Sequence, residues 1–194
     1  IPGDVLGKRK GTFYLNLGKL ESLSRAEIEC LSLHEAHPGH HFQLTNMLDS
    51  KLPLFIKCES GNETSFEEGW ALYCETLGEY KTNESYYGKL NYEMLRALRL
   101  VVDTGIHHYK WSPEKCIKFM MKYCFDDRKV IESEVYRYMA YPGQALSYKM
   151  GEKYFLDLKN KYVKSKKLDI KEFHHRCLRF GSVPLQLLEE SFNL

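Results

Sequence analysis

His34-Glu35-Ala36-His37-Pro38-Gly39-His40-His41 packs four of the chain's eight histidines and one carboxylate into a single short stretch. Neutral imidazole is a common zinc ligand, and a Glu beside such a ligand can serve as the base that activates water. The flanks read as helix. Ser24-Arg25-Ala26-Glu27 has the form of a capping box, and it opens a run through Ile28, Leu31 and Leu33 into the histidines and on to about Leu48. Pro38-Gly39 interrupts that run. Proline removes a backbone donor and its ring clashes with the preceding turn, while glycine is permissive, so a kink or a widened turn is expected there.

The zinc-peptidase pattern His-Glu-x-x-His puts two imidazoles one turn apart on one helical face, with the Glu at the attacking water. Here the residue four after His34 is Pro38, which cannot ligate, so the second ligand must come from His37, His40 or His41. On a regular helix, at about 100° per residue, His37 stays near the face of His34 and His40 falls off it, while His41 returns to it about 10 Å along the axis. A local insertion at Pro38-Gly39 would swing His40 back to meet His34. A catalytic tetrahedral zinc also needs a third protein ligand. Ser65-Phe66-Glu67-Glu68 is a second capping box, opening a helix that carries Trp70, Leu72, Tyr73 and Leu77, and this helix offers Glu67, Glu68 and Glu75. Each is equally acceptable as a solvated helix carboxylate, and the first two suit a first turn through the helix dipole. The histidines upstream lift them above that reading.

The rest of the chain is helical in pattern. Leu95, Leu98, Val102 and Ile106 are spaced for a long helix over about residues 86–108. Ser112-Pro113 is an N-cap followed by proline at the first helical position, and Asp127 caps the next helix through Val130, Val135 and Met139. Tyr141-Pro142-Gly143 is a break before a long amphipathic helix from about Gln144 to Tyr162. Two short helices follow, over about 170–179 and 184–192. Thr12 to Leu17 reads as an extended edge segment. With no repeat or linker, the 194 residues form one all-α domain. The chain starts at Ile1, without Met, and is expected to be a piece of a longer or processed protein.

Composition narrows the function classes. A net charge of +2, with Lys and Arg spread evenly, gives no electrostatic case for nucleic acid. No apolar run approaches the ~20 residues of a membrane span. The six cysteines show no CxxC spacing, which disfavours a thiolate zinc site, and Cys30 and Cys74 fall where small core residues belong. Two sequons, Asn62-Glu63-Thr64 and Asn83-Glu84-Ser85, lean towards the secretory pathway.

Taken together, several segments resemble the family catalogued as domain of unknown function 885, zincin-like proteins grouped with metallopeptidases. They are residues 34–43, the run Glu68-Gly69-Trp70-Ala71-Leu72-Tyr73-Cys74-Glu75, residues 96–107, Arg137-Tyr138, Pro142-Gly143-Gln144-Ala145-Leu146-Ser147-Tyr148, and Gly181-Ser182-Val183-Pro184-Leu185. Family members are much longer, so the chain looks like their C-terminal, motif-bearing part. The resemblance implies a helical peptidase fold similar to the Taq-type carboxypeptidases and the angiotensin-converting-enzyme group. Aligned on their motif, His37-Pro38 is a two-residue insertion. The implied zinc ligands are then His34, His40 and Glu68, with Glu35 activating the zinc-bound water and a peptide as substrate. Tyr148 is the implied oxyanion donor, with His107 and Tyr141 as alternatives. Arg137, Tyr141 and Gln144 are expected at the substrate, although Arg137 is equally placed to bridge to Glu134 on its own helix. Asp103 could orient a ligand histidine. The competing expectation is a non-catalytic scaffold in which His37 closes the metal's fourth position. A di-iron bundle would want two Glu-x-x-His motifs, and only Glu172 to His175 fits.

Overall fold

The structure is a computed structural model that describes residue 1 and residues 3–14, 25–58 and 63–193. The described residues form helices and turns, without a strand: α1 (Arg25–Glu35), α2 (His40–Asp49), α3 (Leu54–Cys58), α4 (Thr64–Glu75), α5 (Asn83–His107), α6 (Pro113–Met121), α7 (Arg128–Ala140), α8 (Gln144–Lys159), α9 (Ile170–Leu178) and α10 (Leu185–Ser191). The π-turn Asn160–Lys164 prolongs α8 to the length that the sequence pattern gave it.

α4 is the hub. Phe66 and every residue from Gly69 to Glu75 are buried, which marks a helix enclosed on all sides. It crosses α8 at Gly69 and Gly151. A Cβ on Gly151 would stand 2.0 Å from the Ser65 carbonyl oxygen, so only glycine lets the two backbones approach this closely. Phe66, Trp70, Tyr73, Phe155, Phe173 and Leu188 fill the core between α4, α8, α9 and α10. A second core joins α5, α6 and α7 through Leu98, Val102, Ile106, Met120, Ile131 and Val135. The helical spacing read in α5 thus faces inward.

Local signals held to different degrees. Ser112 caps α6 with its side chain accepting from the Lys115 N–H. Asp127 stands at the N-cap of α7 without a side-chain cap bond. α4 begins at Thr64, one residue before Ser65, so that serine lies inside the first turn instead of capping it. Ser24, Asn62 and residues 15–17 of the expected edge segment lie outside the described residues, and residues 12–14 form no strand. All six cysteines are free, with Cys30 and Cys74 fully buried.

Candidate metal centre

The run from α1 to α2 is broken where Pro38-Gly39 sits. α1 ends at Glu35 and α2 starts at His40. Gly39 lies so close to the last turn of α1 that a Cβ there would be 1.8 Å from the His34 carbonyl oxygen. The Phe42 N–H reaches back over the turn to the Ala36 carbonyl at 3.1 Å, and the Trp70 indole N–H of α4 donates to the Pro38 carbonyl at 2.9 Å. The widened turn therefore folds His40 back beside His34. Their rings meet edge to face at 4.8 Å.

Glu68 of α4 completes the group. Its Oε2 lies 3.4 Å from His34 Nε2 and 3.3 Å from His40 Nε2, and one donor atom from each of the three residues falls within 4.8 Å of the others. That oxygen is buried and has no hydrogen-bond partner, although two imidazole nitrogens are near it. Three potential donor atoms this close together, one of them a buried oxygen, make an arrangement that a cation fits. His, His and Glu is also a donor set suited to zinc. Burial tends to raise the Glu68 carboxyl pKa, but the two imidazoles outweigh it and hold the group well below the ordinary carboxylate range.

Behind His34 stands Glu75. Its Oε1 meets His34 Nδ1 at 2.7 Å, its Oε2 accepts from the Cys30 thiol at 3.1 Å, and the Arg96 guanidinium lies 3.6 Å away. Burial would raise the Glu75 carboxyl, yet His34 and Arg96 keep it below its ordinary value. For His34, burial favours the neutral ring, but Glu68 and Glu75 prevail and raise its pKa in the metal-free protein. Burial and the nearby Glu75 push the Cys30 thiol up to about 12, so Cys30 stays a thiol. A carboxylate on the far nitrogen of a ligand histidine fixes its tautomer and its ring plane. Glu75 thus belongs to the site as the partner of His34 instead of as a ligand. It lies seven residues after Glu68, a spacing that returns to the same helical face and was the signal available for it. Arg96 carried no such signal.

The other expected residues separate into those near the cluster and those away from it. Glu35 and His40 line one cleft of about 270 Å³ with His41, Thr12 and Phe13. His37 is exposed and turns its ring onto Phe42 at 4.6 Å, away from the group. Glu67 accepts from the Ser182 hydroxyl at 2.8 Å. Arg137, Gln144 and Tyr148 meet in a second polar network where α7 joins α8. Gln144 contacts Arg137 and the Tyr148 phenol, each at 3.3 Å, and Arg137 pairs with Glu134 at 2.9 Å. None of the three hydrogen-bonds to His34, His40 or Glu68. Arg99 stacks over the Tyr148 ring at 4.3 Å and also binds Glu134. His107 gives its Nε2 to the Tyr138 carbonyl at 2.9 Å, which ties it into the α5–α7 packing. Tyr141 is 65% exposed at the end of α7. Asp103 accepts from the Gly143 N–H at 3.1 Å, so it steadies the turn into α8 and orients no histidine.

Residues 2–192 match the family described as "Bacterial protein of unknown function (DUF885)". The chain belongs to this family. None of the curated proteins matches it. Among solved structures, this DUF885 chain is similar to a "putative lipoprotein" from Colwellia psychrerythraea, with 35% identity and a TM-score of 0.93 over 99% of this chain and 34% of that one. It is also similar to a "putative lipoprotein of unknown function" from Shewanella oneidensis, with 25% identity and a TM-score of 0.80 over 100% of this chain and 38% of that one. The chain thus spans little more than a third of the length of either. Among the described residues, no helix is long and apolar enough to cross a membrane.

Proposed function

We propose that this DUF885 chain carries the catalytic centre of a zinc-dependent peptidase of the helical zincin type, with His34, His40 and Glu68 holding the metal. The observation that carries this reading is the buried, unpartnered Glu68 oxygen facing two imidazole nitrogens. Zinc, when bound, supplies a Lewis acid that polarises a carbonyl oxygen and acidifies water. Glu35 follows His34 directly and lines the same cleft as His40. Its carboxylate takes a proton from the attacking water and returns it to the nitrogen of the leaving amine. Glu75 holds the His34 ring from behind. Tyr148, Arg137 and Gln144, which the resemblance implied at the substrate, bond among themselves and with Glu134, and the proposed mechanism gives them no step. The scaffold reading requires a fourth protein ligand, and the natural candidate, His37, faces Phe42 instead. The family neighbours described as lipoproteins accord with a secretory or envelope location.

The test is elemental analysis of the purified protein and its variants, followed by a peptide-library assay on the wild type and Glu35→Gln. One zinc per chain is expected in wild type, Glu35→Gln and His37→Ala, and none in His34→Ala, His40→Ala or Glu68→Ala. Glu35→Gln is expected to retain zinc and lose turnover. Folded, zinc-supplemented wild type without stoichiometric metal, or a Glu35→Gln variant with normal turnover, would overturn the reading.

A further inference from the structure

Gln43 is 2% exposed and lies three residues after His40, on the same face of α2. Its amide N–H donates to the Ser182 hydroxyl at 2.9 Å, across 139 residues of sequence. The Ser182 hydroxyl in turn donates to Glu67 Oε1 at 2.8 Å, across 115 residues. Glu67 is the residue before Glu68. One side chain from the C-terminal tail therefore links the helix that carries His40 to the helix that carries Glu68, through Gln43 three residues after His40 and through Glu67 next to Glu68.

The direction of the chain of bonds is set by charge. Glu67 can only accept while ionised, so Ser182 must point its hydrogen at it, and the serine lone pairs are left for the Gln43 amide N–H. Turning the amide round would set two oxygens against each other. The amide oxygen of Gln43 is meanwhile buried without a partner. The bridge thus keeps a desolvated amide in place at the cost of one orphaned acceptor, which a solvated surface bond would not require. The turn that presents Ser182 is itself seated. Gly181 has φ +74°, a backbone conformation that favours glycine, and it packs against Met47 of α2, whose side chain a Cβ there would meet at 3.1 Å.

We propose that Ser182 is a positioning residue for the His40–Glu68 pair, closing a bridge from Gln43 to Glu67 that fixes the spacing of α2 and α4. The inference rests on the metal-centre reading above and adds a role for the tail that follows α9. Because the bridge aligns the ligands, removing it must weaken metal binding in the folded protein. Loss of general stability alone would not do so.

Zinc affinity by chelator competition and the visible spectrum of the cobalt(II)-loaded protein are measured for wild type, Ser182→Ala, Ser182→Thr and Gln43→Leu, with metal-free thermal unfolding as the control for folding. Ser182→Ala is expected to lose about tenfold in zinc affinity, in line with other outer-sphere partners, and to alter the cobalt band. Ser182→Thr keeps the hydroxyl and is expected to restore both. Gln43→Leu is expected to match Ser182→Ala, with the double variant no worse than either single one, since both cut the same bridge. If wild type binds zinc and Ser182→Ala binds it within twofold with an unchanged cobalt band, the bridge is overturned and the metal centre stands. If wild type binds neither metal, both readings fall together.

Discussion

Replacing Glu75 by Gln keeps the side chain's volume and removes its charge. Two consequences follow from its contacts. The first concerns His34. A carboxylate at 2.7 Å from Nδ1 fixes the ring with Nε2 free towards Glu68, whereas an amide can present either its oxygen or its NH2 to that nitrogen. Loss of such an outer partner typically costs 10–100-fold in metal affinity, about 1.4–2.7 kcal/mol. The second concerns Arg96. Its side chain is 7% exposed, and Glu75 is the carboxylate it faces at 3.6 Å. Breaking a buried pair from one side costs about 3–5 kcal/mol, and the long separation puts this one at the lower end. For a chain of this size, about 3 kcal/mol corresponds to a drop of about 6–12 °C in Tm. Metal-free unfolding and zinc competition on Glu75→Gln separate the two effects. Adding Arg96→Met removes the stranded cation, so the double variant is expected to regain stability but not zinc affinity. Wild-type zinc affinity in Glu75→Gln would refute the orienting role of Glu75.

Other consequences are simpler to test. Gly151→Ala places a Cβ 2.0 Å from the Ser65 carbonyl and 2.7 Å from Gly69 Cα, both backbone, so α4 and α8 must part. A loss of at least about 1–3 kcal/mol is expected in denaturant unfolding, and an unchanged midpoint would contradict the crossing. Glu134 is held below the ordinary carboxylate pKa, because Arg99, Tyr138 and Arg137 together outweigh the effect of burial, which would raise it. Its contribution is therefore complete above about pH 4.3 and is lost as pH falls through its lower folded value. Glu134→Gln should be less stable at neutral pH and show a shallower fall in Tm on acidification, and parallel Tm curves for the two proteins would rule this out.

The all-helical class and most helix limits were legible because they follow from local rules, whereas spacing alone left His37, His40 and His41 open and the resemblance pointed to His40. Leu95, Leu98, Val102 and Ile106 repeat at helical spacing, and Ser112-Pro113 states where α6 starts. The Pro-Gly pair announced a break that a straight helix could not accommodate. What stayed hidden depends on tertiary packing. Sequence spacing left Glu67, Glu68 and Glu75 equivalent, and only the placement of α4 against α1 separates a ligand candidate, a ligand's partner and a bridge residue. α3 (Leu54–Cys58) buries none of its residues and has no periodic stripe to read. Asp103 and His107 had plausible chemistry but lie on a part of α5 whose neighbours are the α7–α8 turn and Tyr138.

Under the proposed mechanism, Glu75, behind the His34 ring, and Glu35, next to His34 in sequence, divide the work, and their surroundings decide which does which. Glu75 is 4% exposed, and both its oxygens are engaged, one by His34 and one by Cys30, with Arg96 beside it. A carboxylate so enclosed cannot exchange protons with a substrate, because moving a proton to it would strand an arginine and a histidine away from water. Glu35 is half-buried, lines the open cleft with His40, and has no hydrogen-bond or ion-pair partner among the described residues. That cleft, of about 270 Å³, is large enough to hold water. In the proposed reaction this contrast makes Glu75 a fixed electrostatic support and gives the proton transfer to Glu35.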